Sequence, residues 1–474
     1  MATKQVKQST SAKPPVSTVV MTIDMGGSKT KIVVQELGSS TPRVLLMESQ
    51  LADIGRNPSA QVPSTGLGSE RAWVGFDKAT NGGEEVSRLY YAVGALARHR
   101  FGGLPQLEEL KYELALPKIL AAIWFARVEL SFSPKLNLFL SVLLPGGEMS
   151  DKDILKSRLL AVTPSFETPS GKMAVKLTQC EVSSEGSGIY NYRRSVLGDE
   201  IHSRNQLFVM LGFRNASAFV VRGGATEPGA TSNFGMYWML DALASQISGF
   251  DKNDPPTIQT VVDSAADPNL LKRLSRKRDK QDIDDDFVSI TNAVSEARSD
   301  YVRAIARWLK GIPGSFDEII FCGGTSEYLR PDLEKYYATD TTEIIWHGGV
   351  TLPHEVKSTL GCFRLADVWA LHSVFFGLVS TALSASRKVS KSKNVVITTN
   401  DDTSLEIVQQ EEPSLTSKRV DNTSNDDGMS DSIIPSIKSI FKNAPRPEDT
   451  PRQYVYETSD RPAKTAPPIE PGSL

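Results

Sequence analysis

Residues 22–34, TIDMGGSKTKIVV, place two β-forming runs on either side of a Gly-Gly-Ser turn, with an aspartate before it and two lysines after it. Val19, Met21 and Ile23 alternate with Val20, Thr22 and Asp24, and Ile32, Val33 and Val34 continue the pattern, so the spacing predicts a hairpin. Glycine at Gly26 and Gly27 permits positive φ and leaves the backbone amides open to an anion.

Residues 208–221, FVMLGFRNASAFVV, echo that stretch. Laying Gly26 on Gly212 puts Ile23 on Val209 and Ile32 on Ala218, with Val33 and Val34 on Phe219 and Val220. The two turns lie 186 positions apart (212 − 26), far more than the ~20 to 50 residues of a solenoid repeat. The echo predicts two related α/β lobes facing a common cleft.

The chain has 474 residues, 40% of them hydrophobic and 23% charged, with a net charge of −3. This is the composition of a globular protein with ample core, and it excludes a generally basic nucleic-acid binder. Direct sequence-specific nucleic-acid binding is not expected. Cys180, Cys322 and Cys362 lack C-x-x-C spacing and the five histidines form no metal motif, which argues against a disulfide scaffold or zinc site and for a reducing cytoplasm. Residues 1–16 are polar and read as a flexible leader without a secretory apolar core.

Along the chain, residues 84–100 carry apolar positions at helical spacing, and a second helical stretch over 107–128 should kink or split at Pro117. Residues 136–144 (LNLFLSVLL) read as a buried strand, 229–247 as a loop entering a helix, 284–310 as a long charged helix, and 316–322 as a strand stopped by Gly323 and Gly324. The apolar run 368–383 is shorter than the ~20 residues of a typical membrane span and contains His372. A buried helix is expected there, and no membrane partner. From residue 386 apolar content falls and the tail reads as disordered.

The spacing D-x-G-x-x-x-x-K of Asp24, Gly26 and Lys31 resembles the first phosphate motif of the superfamily that joins actin, the heat-shock chaperone ATPases and sugar kinases. From about residue 18 to 384 the order of pieces is similar to that of plasmid-segregation actins of the ParM/StbA type. The pieces are the strand ending at Pro145, CEVSSEGSGIY from Cys180, the second hairpin at Gly212, SNFG from Ser232, and FCGGTSEYL from Phe321. The resemblance implies an actin-like, ribonuclease H-like two-lobe ATPase fold with an interlobe nucleotide cleft. Lobe I is expected over 17–205, lobe II over 206–350, and a helix over 351–385 returning to lobe I.

By the same resemblance, ATP and Mg²⁺ are the implied cofactors. Asp24 would act on the Mg²⁺ shell; Gly26, Gly27, Ser28 and Lys31 would hold phosphate; and Glu185 would help orient the attacking water. Gly212, Arg214 and Asn215 belong to the second phosphate loop, with Gly235 beside the helix that follows it, while Gly323 and Gly324 would border the base and ribose. The pattern is broken at Met210 and Ser217, where acidic residues are usual in the family. Methionine cannot orient a hydrated Mg²⁺, so nucleotide binding with slow or rearranged hydrolysis is the expectation. The implied function is a self-assembling filament in plasmid or DNA segregation, or a cytoskeletal role, with a DNA-binding adaptor as a further partner. The alternatives are a sugar-type kinase of the same superfamily, whose cysteine-rich zinc motif is missing here, and a non-hydrolysing nucleotide-sensing scaffold.

Overall fold

The computed structural model describes residues 16–62, 65–77, 88–360 and 363–393. Both predicted hairpins form, and each opens a sheet. In the first lobe β1 (Ser17–Met25), β2 (Lys29–Glu36) and β3 (Arg43–Glu48) run antiparallel in sequence. The short strands β4 (Leu51–Asp53), β5 (Trp73–Asp77) and β6 (Arg88–Val93) follow, then helices α1 (Ala95–Phe101) and α2 (Lys111–Glu129). Next come β7 (Lys135–Leu144), α3 (Lys152–Val162), β8 (Phe166–Thr168), β9 (Gly171–Ser184) and α4 (Ser187–Leu197). The sheet order is β3-β2-β1-β7-β9-β8-β5-β6-β4, with β7 parallel to both β1 and β9.

The second lobe repeats the plan. Strands β10 (Gln206–Leu211), β11 (Ala216–Arg222) and β12 (Ala225–Thr226) are antiparallel, and β13 (Ala230–Ser232) pairs with β11. Helices α5 (Met236–Gln246), α6 (Pro255–Asp263) and α7 (Lys280–Lys310) lead to β14 (Glu318–Cys322), α8 (Gly324–Tyr337) and β15 (Glu343–Trp346), the two strands lying parallel. The order β12-β11-β10-β14-β15 matches β3-β2-β1-β7-β9 strand for strand, in direction as well as position. Helices α9 (His354–Ser358) and α10 (Ala366–Lys393) end the described chain.

Alternation along β1 explains the layers. Val19, Met21 and Ile23 face α2 and α3 in one apolar cluster, whereas Val20 packs with Phe375, Val379 and Leu383 of α10 on the opposite side. Thr22 also points to α10, its Oγ1 lying 3.1 Å from Nδ1 of the buried His372. Helix α10 is long and apolar enough over Ala366–Ala385 to cross a membrane by length and composition. Much of its apolar side covers the first lobe, where Val368 and Leu371 also meet Val33 and Leu143, while Ala366 and Ala370 join Phe208 and Ile320 of the second sheet.

Two expectations are corrected. Of residues 84–100, 88–93 form strand β6 and the helix begins only at Ala95; residues 84–87 lie outside the described residues. Pairing with both β4 and β5 outweighs a helical spacing that Leu89, Tyr90 and Val93 satisfy only by coincidence. Pro117 does not split α2, which runs unbroken from Lys111 to Glu129 with residues 115–126 all buried, so packing offsets the one backbone bond that proline removes. Of the leader expected over 1–16, residues 1–15 lie outside the described residues, as do residues 394–474 of the tail expected from 386; residues 386–393 instead continue helix α10.

Candidate functional site

The hairpin registers are equivalent. Ile23 pairs with Ile32 and Asp24 with Lys31 in the first; Val209 pairs with Ala218 and Met210 with Ser217 in the second. Met210 therefore stands where its twin carries Asp24. Instead of facing a polar site, its sulfur lies against Sγ of Cys322 on the neighbouring strand, and Ser217 Oγ lies 3.2 Å from Thr231 Oγ1.

The hairpin tips meet. A Cβ built on Gly27 would stand 3.1 Å from Leu107 Cδ2 and 3.3 Å from Phe213 Cδ1. Neither Gly26 nor Gly27 has positive φ, so the conformational freedom expected of them is not what the site uses. What Gly27 supplies is close approach: a Cβ is accommodated only if Leu107 and Phe213 give by a few tenths of an ångström, and a larger side chain would hold the hairpins apart. On the far side, Gly323 has φ +95° and approaches Leu211 so closely that a Cβ would lie 2.3 Å from its carbonyl oxygen. This turn brings Gly323 and Gly324 to the end of β10.

This opposition of two equivalent hairpins, each opening a sheet of the same order, decides the architecture. The fold is actin-like. No protein-family model and no curated protein matches the sequence. Among solved structures, the chain is similar to Bacillus thuringiensis ParM with AMPPNP (12% identity, TM-score 0.49), with 76% of this chain and 98% of that one covered. A 15-stranded ParM filament from Clostridium botulinum gives 15% and 0.49 (76% and 100% covered), and the AlfA filament from B. subtilis plasmid pLS32 gives 12% and 0.45 (74% and 97%).

Between the actin-like lobes the charges form a tight lattice. Asp24, 8% exposed at the end of β1, accepts from Lys31 Nζ at 2.6 Å on Oδ2 and from Lys111 Nζ at 2.9 Å on Oδ1. Lys111, the first residue of α2, also donates to Glu185 Oε1 at 2.7 Å and so joins the two carboxylates. Burial alone would raise the Asp24 carboxyl, but the two ammonium groups hold it well below the usual carboxylate range. Burial likewise opposes charge on Lys111, and Asp24 and Glu185 reverse that, so the lysine stays protonated. Seven residues on, Lys118 is 5% exposed and has no hydrogen bond or ion pair among the described residues. Burial, then repulsion from Lys111 and Arg214, pushes it down to about 8.

Arg214, expected to face phosphate, instead crosses to the first lobe. Its guanidinium donates to Glu148 Oε1 at 3.0 Å and to the Glu109 carbonyl at 2.7 Å. Glu148, 3% exposed, also accepts the Tyr112 amide at 2.9 Å. Asn215 closes its own hairpin through its carbonyl, which accepts the Gly212 amide at 3.0 Å. Gly235 sits against Arg214 and Asn215, and the first amides of α5 donate to the carbonyls of Gly212 and Phe213. Those helix amides are thus satisfied within the loop rather than open to an anion.

Two residues before or at the start of α10 complete the seam. Arg364 lies along Gly324 and donates to Ser28 Oγ at 2.6 Å, linking the Gly-Gly turn of the second lobe to the first hairpin. Asp367 accepts amides of Gly186, Gly188 and Ile189 at 2.8, 2.9 and 3.2 Å, fixing the start of α4 directly after Glu185. Burial, with the Asp24 and Glu185 charges adding to it, pushes Asp367 up to about 6 against the pull of those amides. The structure thus brings together Asp24, Gly27, Ser28, Lys31, Glu185, Arg214 and Gly324. Lys111, Lys118, Glu148 and Arg364 join them without having been singled out as site residues in the sequence.

Proposed function

We propose that this chain is a nucleotide-dependent, self-assembling actin-like protein serving DNA segregation or a cytoskeletal role. One observation carries the proposal: twin hairpins oppose each other across a seam whose free and paired cations, Lys31, Lys111, Lys118, Arg214 and Arg364, suit a polyphosphate. Gly26, Gly27 and Ser28 would offer amides from one side, and the closed Gly212–Asn215 loop would face them from the other. Gly323 and Gly324 would border the base and ribose, and Glu185 would orient water once released from Lys111. Because Arg214 and Arg364 already tie the lobes together, a ligand that replaces those ties would bias the lobes between two arrangements. A filament requires a head-to-tail interface that does not close on itself.

Electron microscopy and light scattering of the full chain with ATP, ADP and a non-hydrolysable ATP analogue test the proposal. Filaments that depend on nucleotide are expected; a chain that stays monomeric with each of them overturns the assembly. A second reading, a nucleotide-sensing scaffold without turnover, is favoured by Met210 in the place of a second carboxylate. Tight ATP binding with neither phosphate release nor filaments would select it. Phosphate transfer to a panel of sugars would instead select a kinase.

A further inference from the structure

The first expectation for the seam is a divalent cation, and the residues present do not fit one. Mg²⁺ demands near-octahedral oxygen ligands, usually carboxylates and water. Both oxygens of Asp24 are bound to lysines, Glu185 is bound to Lys111, and Met210 occupies the equivalent position of the second hairpin. The position between Asp24 and Glu185 already contains a cation, the Lys111 ammonium, 2.9 and 2.7 Å from the two carboxylates.

We infer that ammonium groups replace the metal here: Lys111 neutralises Asp24 and Glu185, Lys118 supplies unspent positive charge, and the seam binds a polyphosphate chain as the metal-free anion. The inference rests on the reading of the seam as a polyphosphate site and narrows it to a ligand form. Lys118 is the second, independent observation. A buried lysine without a partner is costly to keep protonated, and an arriving anion removes that cost. Lys111 and Lys118 lie two turns apart along α2, so both belong to the helix that borders Asp24 and Arg214. The ligand class is therefore a nucleoside di- or triphosphate free of divalent cation, with the polyphosphate itself as the recognised group.

The test is calorimetric titration of the full chain with ADP, ATP and inorganic tripolyphosphate, each in excess EDTA and in excess Mg²⁺. Affinity in EDTA within about threefold of that in Mg²⁺ is expected, because no cation has to be imported with the ligand. Lys118→Met should weaken binding about tenfold in both buffers, the scale of one lost charge-assisted contact. Lys111→Met, checked for folding by circular dichroism, frees both carboxylates and should convert binding to a magnesium-dependent form. Nucleotide binding by the natural chain in Mg²⁺ alone overturns this inference and leaves the nucleotide function standing. Tripolyphosphate binding in EDTA with no response to nucleotide supports the inference and removes the nucleotide function. Failure of every ligand in both buffers overturns both.

Discussion

Gly27 of the first hairpin touches Phe213 of the second: a Cβ on the glycine would stand 3.3 Å from the ring and 3.1 Å from Leu107. Since Gly27 needs no unusual φ, alanine is tolerated with a shift of a few tenths of an ångström, whereas leucine is a wedge. Gly27→Leu is expected to lower stability by about 1–3 kcal/mol and to weaken nucleotide binding, read by denaturant melts and titration. Unchanged values in both would show that the tip contact carries neither.

Arg214 and Glu148 join the lobes through a carboxylate that is 3% exposed. Arg214→Met leaves that charge with only the Tyr112 amide, at a cost of about 3 kcal/mol. Small-angle scattering should report a larger radius of gyration as the lobes part. Adding Glu148→Met to the same chain removes the stranded charge, so the double variant should recover part of the loss. Strict additivity would exclude the pair as a latch.

Lys118 gives the molecule a pH signature. Its ordinary value of 10.5 falls to about 8 in the folded protein, chiefly through burial, with Lys111 and Arg214 repelling it and Glu109 only partly compensating. Below pH 8 both folded and unfolded chains carry the proton, and the burial penalty is present in full. Between about pH 8 and 10.5 the folded protein has lost a proton that the unfolded chain keeps, so this group makes stability rise with pH. Lys118→Met should flatten that rise and add about 3 kcal/mol at pH 7. Melts from pH 7 to 10.5 on both chains measure it; parallel curves would refute the assignment.

Asp367 should anchor α4. Asp367→Asn keeps one acceptor oxygen of two and turns an amino group onto a backbone amide, so about 1–2 kcal/mol of stability should be lost. The specific readout is hydrogen exchange, which should accelerate at the amides of Gly186, Gly188 and Ile189. If only distant amides accelerate, the carboxylate is not their cap.

The hairpins were legible because strand alternation is local: the alignment of Ile23 with Val209 and Ile32 with Ala218 is reproduced as two cross-strand pairs at equivalent register. The substitution at Met210 was legible for the same reason. Lys111 was not, since its partners Asp24 and Glu185 lie 87 and 74 residues away and nothing around KYELALP distinguishes it from a solvated helix start. Nor was Arg364, which reaches Ser28 across 336 positions. Strand β6 was missed because RLYYAV fits both periods over so few residues; its Tyr-Tyr pair and the following Gly94 were the available signals.

Lys31, Lys111 and Lys118 all stand on the first sheet or the helix covering it, while the facing hairpin offers Met210 and an arginine already committed to Glu148. The seam is electrically lopsided. A guest held there would belong to one jaw and merely be covered by the other, so when the jaws separate it would ride away with the N-terminal half instead of being shared.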